Sequence, residues 1–351
     1  MGVSIKALSY TLPSEKLSNS ELERRFGKTA MDKIAAVSGI LERRRAPADV
    51  CASDLACDCA NLLFEKSGFA RENIDLLVLA TQTPDYLIPT TACILQKRLG
   101  LKNSCAAFDI NLGCSQFVYA LATARAWIEN SLAKNALVLC ADTASKTLDE
   151  NDRSTVCVFG DAAAACLLTS CEKNSLLDFS FGTDGAGFDS IIWRNSALRK
   201  SDGDDKMRMD GFKIFAFAYK RACESVGEIL AKNSLTIDDI DLFVFHQAGE
   251  IIVKSCAERL KIPPEKVYFK MHDIGNCGGA SIPIALADAA ASGRLRPSMK
   301  VAVCAFGVGL SWASAIIDWD ENFAGAYTDC DFSESPEKPA SQSAADLPRT
   351  R

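Results

Sequence analysis

Histidine is almost missing from this sequence: its 351 residues include two, His246 and His272. Long apolar runs are missing as well. No window reaches the roughly 18 uninterrupted apolar residues of a membrane-spanning helix, and the opening MGVSIKALSYTLPSEKLSNSEL has no basic start followed by an apolar block. The expectation is a cytoplasmic protein without a membrane partner. Myristoylation wants Ser or Thr at position six, where Lys6 stands. Positive charge is not in excess. A net charge of −6 argues against nucleic acid as the main partner, because phosphate binding needs a basic surface. Paired CxxC clusters are absent, which argues against a structural zinc. The Phe159-Gly160-Asp161 segment lacks the glycine spacing and lysine of a phosphate loop.

What is present suits a globular chain with one large core or two fused ones: 48% of residues are hydrophobic and 24% charged. Fifteen cysteines would suggest disulfides in a short secreted protein, but here they lie inside apolar runs such as VLCAD and VAVCAF. Most of them read as small buried hydrophobes in a reducing cytoplasm.

The chain contains two similar halves. SDLACDCANLLFEKSGFARENIDLLVLATQ, from Ser53, and YKRACESVGEILAKNSLTIDDIDLFVFHQA, from Tyr219, both run helix, acidic turn, apolar strand. The register holds from Lys66 and Lys232 through Ile74 and Ile240 to Ala80 and His246. With a small slip the likeness continues and sets Cys114 opposite Asn276. The strands LLVLA, LFVFH, ALVLC and VAVCA are continuously apolar, as expected of parallel strands covered on both faces. The fold class is therefore α/β in three or more layers. Helices expected from Cys114 to about Ile128 and from Asn276 to about Ala291 are apolar nearly all round, and should lie buried between two sheets. Residues 321–351, short of aliphatics and rich in Ser, Pro and charge, read as a disordered tail.

Four positions carry candidate chemistry. Cys114 opens a helix, where the positive end of the dipole favours thiolate over thiol, so it is a candidate nucleophile; the position also suits one more buried cysteine. His246 ends the strand LFVFH, on the side where α/β sheets bind ligands, and its counterpart Ala80 shows that the fold accepts a small residue there. A structural histidine remains the other reading. Asn276, in DIGNCGGAS, is compatible with both a helix cap and a role beside Cys114. The turn around Val308, between Gly307 and Gly309, is either a plain hairpin or a set of amides directed into a cavity, as in an oxyanion site. His272 has no metal-ligating neighbour at helical spacing and reads as structural or as a support behind a site residue.

Together these segments resemble the β-ketoacyl-acyl-carrier-protein synthase III family over roughly residues 1 to 319. The markers are SGILERRRA around Gly39, PTTAC at Pro89, DINLGCSQF, DRSTVCVFGDAAAACLL, FHQA, GNCGGASIPIAL and AFGVGLSWASA. The resemblance implies a thiolase fold of duplicated αβαβα layers: a half over 1–170 with the nucleophile, and a half over 171–320 with the histidine and asparagine. It implies decarboxylative condensation of an acyl-CoA or acyl-carrier-protein primer with malonyl-acyl-carrier protein, by a homodimer without metal or organic cofactor. Cys114 would carry the acyl group. His246 and Asn276 would bind the malonyl thioester carbonyl, and the amides of Cys114 and Val308 would form the oxyanion hole.

Substrate-binding residues implied are Ile88, Gln116, Arg153, Phe159, Phe215 and Gly249. Gln116 and Val308 stand where the family commonly has glycine, and Lys33, Val37, Gly249 and Ile251 replace its usual Trp, Arg, Asn and Arg. Gln116 is therefore expected in the acyl channel, governing primer choice with Ile88 and Phe159. Ile88 is expected to reach the channel of a second subunit. Two alternatives share these residues: an acyltransferase to an O or N acceptor without decarboxylation, and a non-catalytic partner subunit. The turn AFGVGLSW does not fit the Gly-Phe-Gly-Pro-Gly of type III polyketide synthases. Cys277 is the nearest counterpart to the second cysteine of thiolases, yet Asn276 matches the synthase pattern better.

Overall fold

Two sheets sort the apolar residues of their strands among three cores. The computed structural model describes residues 2–172, 174–200, 202–203, 205–319, 323 and 325–332, with backbone alone for 328–332. The first sheet has the strand order Gly325–Phe332, Gly2–Pro13, Ala162–Cys171, Asn135–Asp142, Leu76–Ala80, Ala106–Ile110. The second has the order Leu242–Phe245, Lys300–Gly307, Ser311–Asp318, Leu176–Thr183. In the first, Leu76–Ala80 and Asn135–Asp142 are parallel and two antiparallel neighbours follow. Leu242–Phe245 and Lys300–Gly307 repeat that arrangement in the second. Where the first sheet adds Ala106–Ile110 beside Leu76–Ala80, the second has a single parallel bridge from Phe243 to Val267.

Side chains alternate along a strand, so each apolar run feeds two cores. Leu76, Val78 and Ala80 point into a central core, and Leu77 and Leu79 into an outer one. Leu242 and Val244 enter the same central core from the other sheet, while Phe243 and Phe245 enter a second outer core. Both faces of both sheets are thereby covered, which explains why these strands show no polar alternation. The central layer holds the helices Gln116–Glu129 and Ser281–Ala291, with Phe117, Leu121, Ala124 and Ile128 on one and Ile282, Leu286 and Ala289 on the other. Helices Ala52–Ser67 and Thr91–Arg98 cover the first sheet, and Gly211–Lys232 and Glu250–Leu260 the second. The result is the five-layer αβαβα order of the thiolase fold. Each fully buried Leu, Val or Phe contributes roughly 1.5 to 3 kcal/mol, so the central layer binds the halves together. No described helix is long and apolar enough to cross a membrane.

Two expectations need correction. The central helices begin later than Cys114 and Asn276, at Gln116 and Ser281, each after a short 3-10 turn, Gly113–Ser115 or Gly278–Ala280. Residues 321–351 are not uniformly a tail: Gly325–Phe332 pairs in parallel with Gly2–Pro13, Ala7 opposite Gly325 and Tyr10 opposite Thr328. Composition hid this strand because backbone groups supply its pairing, while Ala326 and Tyr327 reach the cores. Residues 333–351 lie outside the described residues.

Candidate active site

The turns that precede the two central helices meet at one cavity of about 570 Å3, and Cys114, His246 and Asn276 all line it. Cys114 sits in the turn Gly113–Ser115, between the strand Ala106–Ile110 and the helix Gln116–Glu129. Gly113 has φ +73°, and a Cβ there would lie 2.7 Å from Gln82 Oε1 and 2.8 Å from Val308 Cβ. Only glycine fits the turn that presents the thiol. Gly307 fits for the same kind of reason, since a Cβ would lie 2.6 Å from Cys114 Sγ.

The backbone amides of Val308 and of Cys114 itself are directed at the sulfur and lower its pKa, but burial dominates and pushes the thiol up to about 11. The helix end does not outweigh the loss of water, so Cys114 rests as the thiol at neutral pH. The Val308 turn is tied to the Cys114 turn by two buried hydroxyls. Ser311 Oγ donates to the Val308 carbonyl at 2.7 Å and pairs with Ser115 Oγ at 2.7 Å. Val308 meets the site by its amide, while its side chain packs with Ile191, Ile214 and Leu310.

His246 follows the strand Leu242–Phe245, and its amide is fixed to the Cys304 carbonyl at 2.8 Å. Its ring stands edge-on to Phe306, centroids 5.6 Å apart. Nδ1 is 2.7 Å from Ser281 Oγ, and Nε2 is buried with no partner. Burial drives its pKa down to about 3, so the ring is neutral. Ser281 Oγ also accepts from the Gln247 amide at 3.4 Å. With the Ser281 hydroxyl donating to Nδ1, the ring proton is on Nε2, a donor facing the cavity.

Asn276 is held at both backbone ends, its N–H donating to Val158 O at 2.9 Å and its carbonyl accepting from Gly160 N at 3.0 Å. Its Oδ1 accepts from Gly278 N at 3.0 Å. Nδ2 is left as the free donor. Two neutral donors therefore face one cavity in which a carbonyl oxygen has room.

The other implied residues divide into two groups. Phe159 and Phe215 line the cavity wall, and Gly249 and Arg153 its mouth, with Lys33, Val37 and Ile251 beside them. Gln116 and Ile88 do not line it. Gln116 is fully buried on the far side of the nucleophile turn, bonded to Gly113 N and Asp142, so the expected place in the acyl channel is wrong. The sequence placed this residue one step from the nucleophile without showing which side of the helix it takes. Ile88 is 88% exposed on the surface. Ser281, Ser115, Ser311 and Asp142 escaped the sequence reading. The one available signal was a polar residue, Asp142, closing the apolar run ALVLCA of the strand Asn135–Asp142.

Against known proteins, residues 108–185 match the family model for 3-oxoacyl-[acyl-carrier-protein] synthase III, and residues 230–319 match that of its C-terminal part. A β-ketoacyl-[acyl-carrier-protein] synthase III of Clostridium perfringens is 40% identical over 315 residues, 88% of this chain and 96% of that one. The chain belongs to the β-ketoacyl-acyl-carrier-protein synthase III family. The Helicobacter pylori relative of the same name is 36% identical over 324 residues, covering 90% of this chain and 97% of its own. Among solved structures, a 3-oxoacyl-(acyl-carrier protein) synthase from Burkholderia xenovorans superposes with a TM-score of 0.91 at 31% identity, over 94% of this chain and 97% of that one. As a family member the chain is a condensing enzyme of the transferase class.

Proposed function

We propose that this synthase transfers an acyl group from acyl-CoA to Cys114 and condenses it with malonyl-acyl-carrier protein. The observation that carries this reading is the pair of donors, His246 Nε2 and Asn276 Nδ2, whose companion atoms are already engaged by Ser281 and Gly278. In the first step Cys114 Sγ attacks the primer thioester. The CoA thiolate leaves and takes up the proton that Cys114 gives up, so the neutral resting thiol needs no permanent base.

In the second step the malonyl thioester oxygen accepts from both donors. The bond to the carboxylate breaks, carbon dioxide leaves, and its electron pair becomes an enolate held by the two hydrogen bonds. Fixed donors of this kind supply several kcal/mol where charge develops. The enolate carbon attacks the acyl-Cys114 carbonyl, and the oxyanion is received by the amides of Cys114 and Val308. Collapse expels the Cys114 thiolate, which regains a proton from water. A buried, neutral His246 suits this work better than an imidazolium, which would have to be desolvated first.

Lys33 and Arg153 are exposed cations at the mouth that also border the adjoining recess by Phe26–Ala30, and we assign them to the donor's phosphates. The homodimer and the cytoplasmic setting belong to the same proposal. The exposed Tyr86, Leu87 and Ile88 give the second subunit an apolar contact, and light scattering at micromolar concentration should read twice the chain mass. A monomer would refute the assembly. The chemistry is tested by intact-protein mass spectrometry after incubation with acetyl-, butyryl- and octanoyl-CoA, followed by labelled malonyl-acyl-carrier protein. Acylation of Cys114 and release of labelled carbon dioxide are expected. An acylated enzyme that passes its acyl group to an alcohol or amine, with no carbon dioxide, would make it an acyltransferase of another kind.

A further inference from the structure

Asp142 closes the strand Asn135–Asp142 and is sealed beneath the nucleophile turn, 4% exposed. Its Oδ1 accepts from the Gln82 amide at 2.7 Å and from the hydroxyls of Thr81 and Thr83 at 3.2 and 3.4 Å. Its Oδ2 accepts from Gln116 Nε2 at 3.2 Å, and Gln116 Oε1 accepts from the Gly113 amide at 3.2 Å. Hydrogen bonds of one polarity therefore run from Gly113 N–H through the Gln116 amide to the carboxylate. Gln116 lies against Gly279, where a Cβ would come within 2.3 Å of Nε2. The glutamine is wedged between the turn that carries Cys114 and the turn that carries Asn276.

We propose that Asp142 and Gln116 are a positioning pair, in which the ionised carboxylate fixes the Gln116 amide so that its oxygen holds Gly113 and thereby aims Cys114 and its oxyanion-binding N–H. The pair rests on the reading of Cys114 as nucleophile. A carboxylate only accepts, so it can face only the NH2 of Gln116. A protonated or amidated residue 142 presents a donor instead. The Gln116 amide then turns over, and its NH2 confronts the Gly113 N–H, leaving a buried donor unpaired.

Burial pushes the Asp142 carboxyl up to about 6 against its hydrogen bonds, which brings this reversal close to neutral pH. Three thiols feel its charge, Cys114, Cys140 and Cys277, from the Cys114 turn, the same strand and the turn after Asn276. All three are held above their ordinary value and stay uncharged through the range in which Asp142 titrates.

The test compares wild type, Asp142→Asn and the double variant Gln116→Glu with Asp142→Asn. In the double variant the carboxylate introduced at position 116 again offers Gly113 an acceptor, and its second oxygen takes the amide hydrogen of residue 142. Two readouts are used. One is turnover with acetyl-CoA and malonyl-acyl-carrier protein from about pH 5 to about pH 9. The other is carbamidomethylation of Cys114 by iodoacetamide, followed on its peptide by mass spectrometry.

Asp142→Asn should lower kcat on the order of ten- to a hundredfold with KM little changed, and abolish the acid limb near pH 6. It should also speed alkylation of Cys114, since a charge that opposes its thiolate is gone. The double variant should regain turnover and the acid limb, and slow alkylation again. Unchanged kcat and acid limb in Asp142→Asn, unchanged alkylation, or a double variant no better than the single one would overturn the pair. Alkylation needs no acyl donor. A wild type whose Cys114 took up no acyl group would therefore count against the proposed chemistry, while the alkylation rates would still decide on the pair.

Discussion

As the proposed nucleophile, Cys114 sits where burial opposes its ionisation, and donors are placed around the sulfur and around the cavity opposite it. Cys114→Ala should abolish acylation and leave the fold intact, since the core loses one sulfur; persistent mass gain on that variant would move the acyl site elsewhere. Asn276→Ala and His246→Ala should still acylate but lose carbon dioxide release on the order of 10²- to 10³-fold, the usual cost of removing one fixed donor at developing charge. Failure to acylate with decarboxylation preserved would reverse the assigned roles. These three residues stand out in the sequence by position: just ahead of a helix, at a strand end and in a glycine-rich turn. Gln116 could be located but not oriented. Its partner Asp142 lies on a different strand, and a side chain's direction depends on the acceptor that meets it.

At the scale of elements, the continuous apolar strands revealed their own burial, because a strand covered on both faces has no polar side to show. The strand Gly325–Phe332 was hidden for the opposite reason. It joins the sheet edge beside Gly2–Pro13 through backbone groups, which composition does not report. A chain ending at Trp319 should therefore lose about 1 to 3 kcal/mol, the range of ordinary single-feature losses, and leave Gly2–Pro13 as an open edge prone to association. Urea unfolding and light scattering of the shortened chain check this. Equal urea midpoints would mean that the edge strand adds nothing to the sheet.

For the whole molecule, duplication gave two helix starts converging on one cavity, and beside them lie His246 and Asp142, buried titratable groups of opposite sign whose contributions to stability run in opposite directions with pH. The folded His246 has its pKa lowered from 6.5 to about 3. The unfolded chain thus binds the proton more readily, and the stability His246 contributes is complete above about pH 6.5 and is lost as pH falls toward about 3. Asp142 is raised from 3.8 to about 6, so its contribution is complete below about pH 3.8 and is lost as pH rises through about 6. Between these limits the two slopes oppose each other and partly cancel. His246→Gln removes the first, so stability should fall less steeply on acidification than in wild type. Asp142→Asn removes the second, so the difference between variant and wild type should move in the variant's favour as pH rises from about 4 to about 7. The hold on Gly113 is already contained in the wild-type pKa of Asp142, and any other cost of the substitution is independent of pH, so the slope and not the height is the measure. Urea midpoints taken across this range for the three proteins decide the matter, and parallel curves would mean that neither group changes its proton affinity on folding.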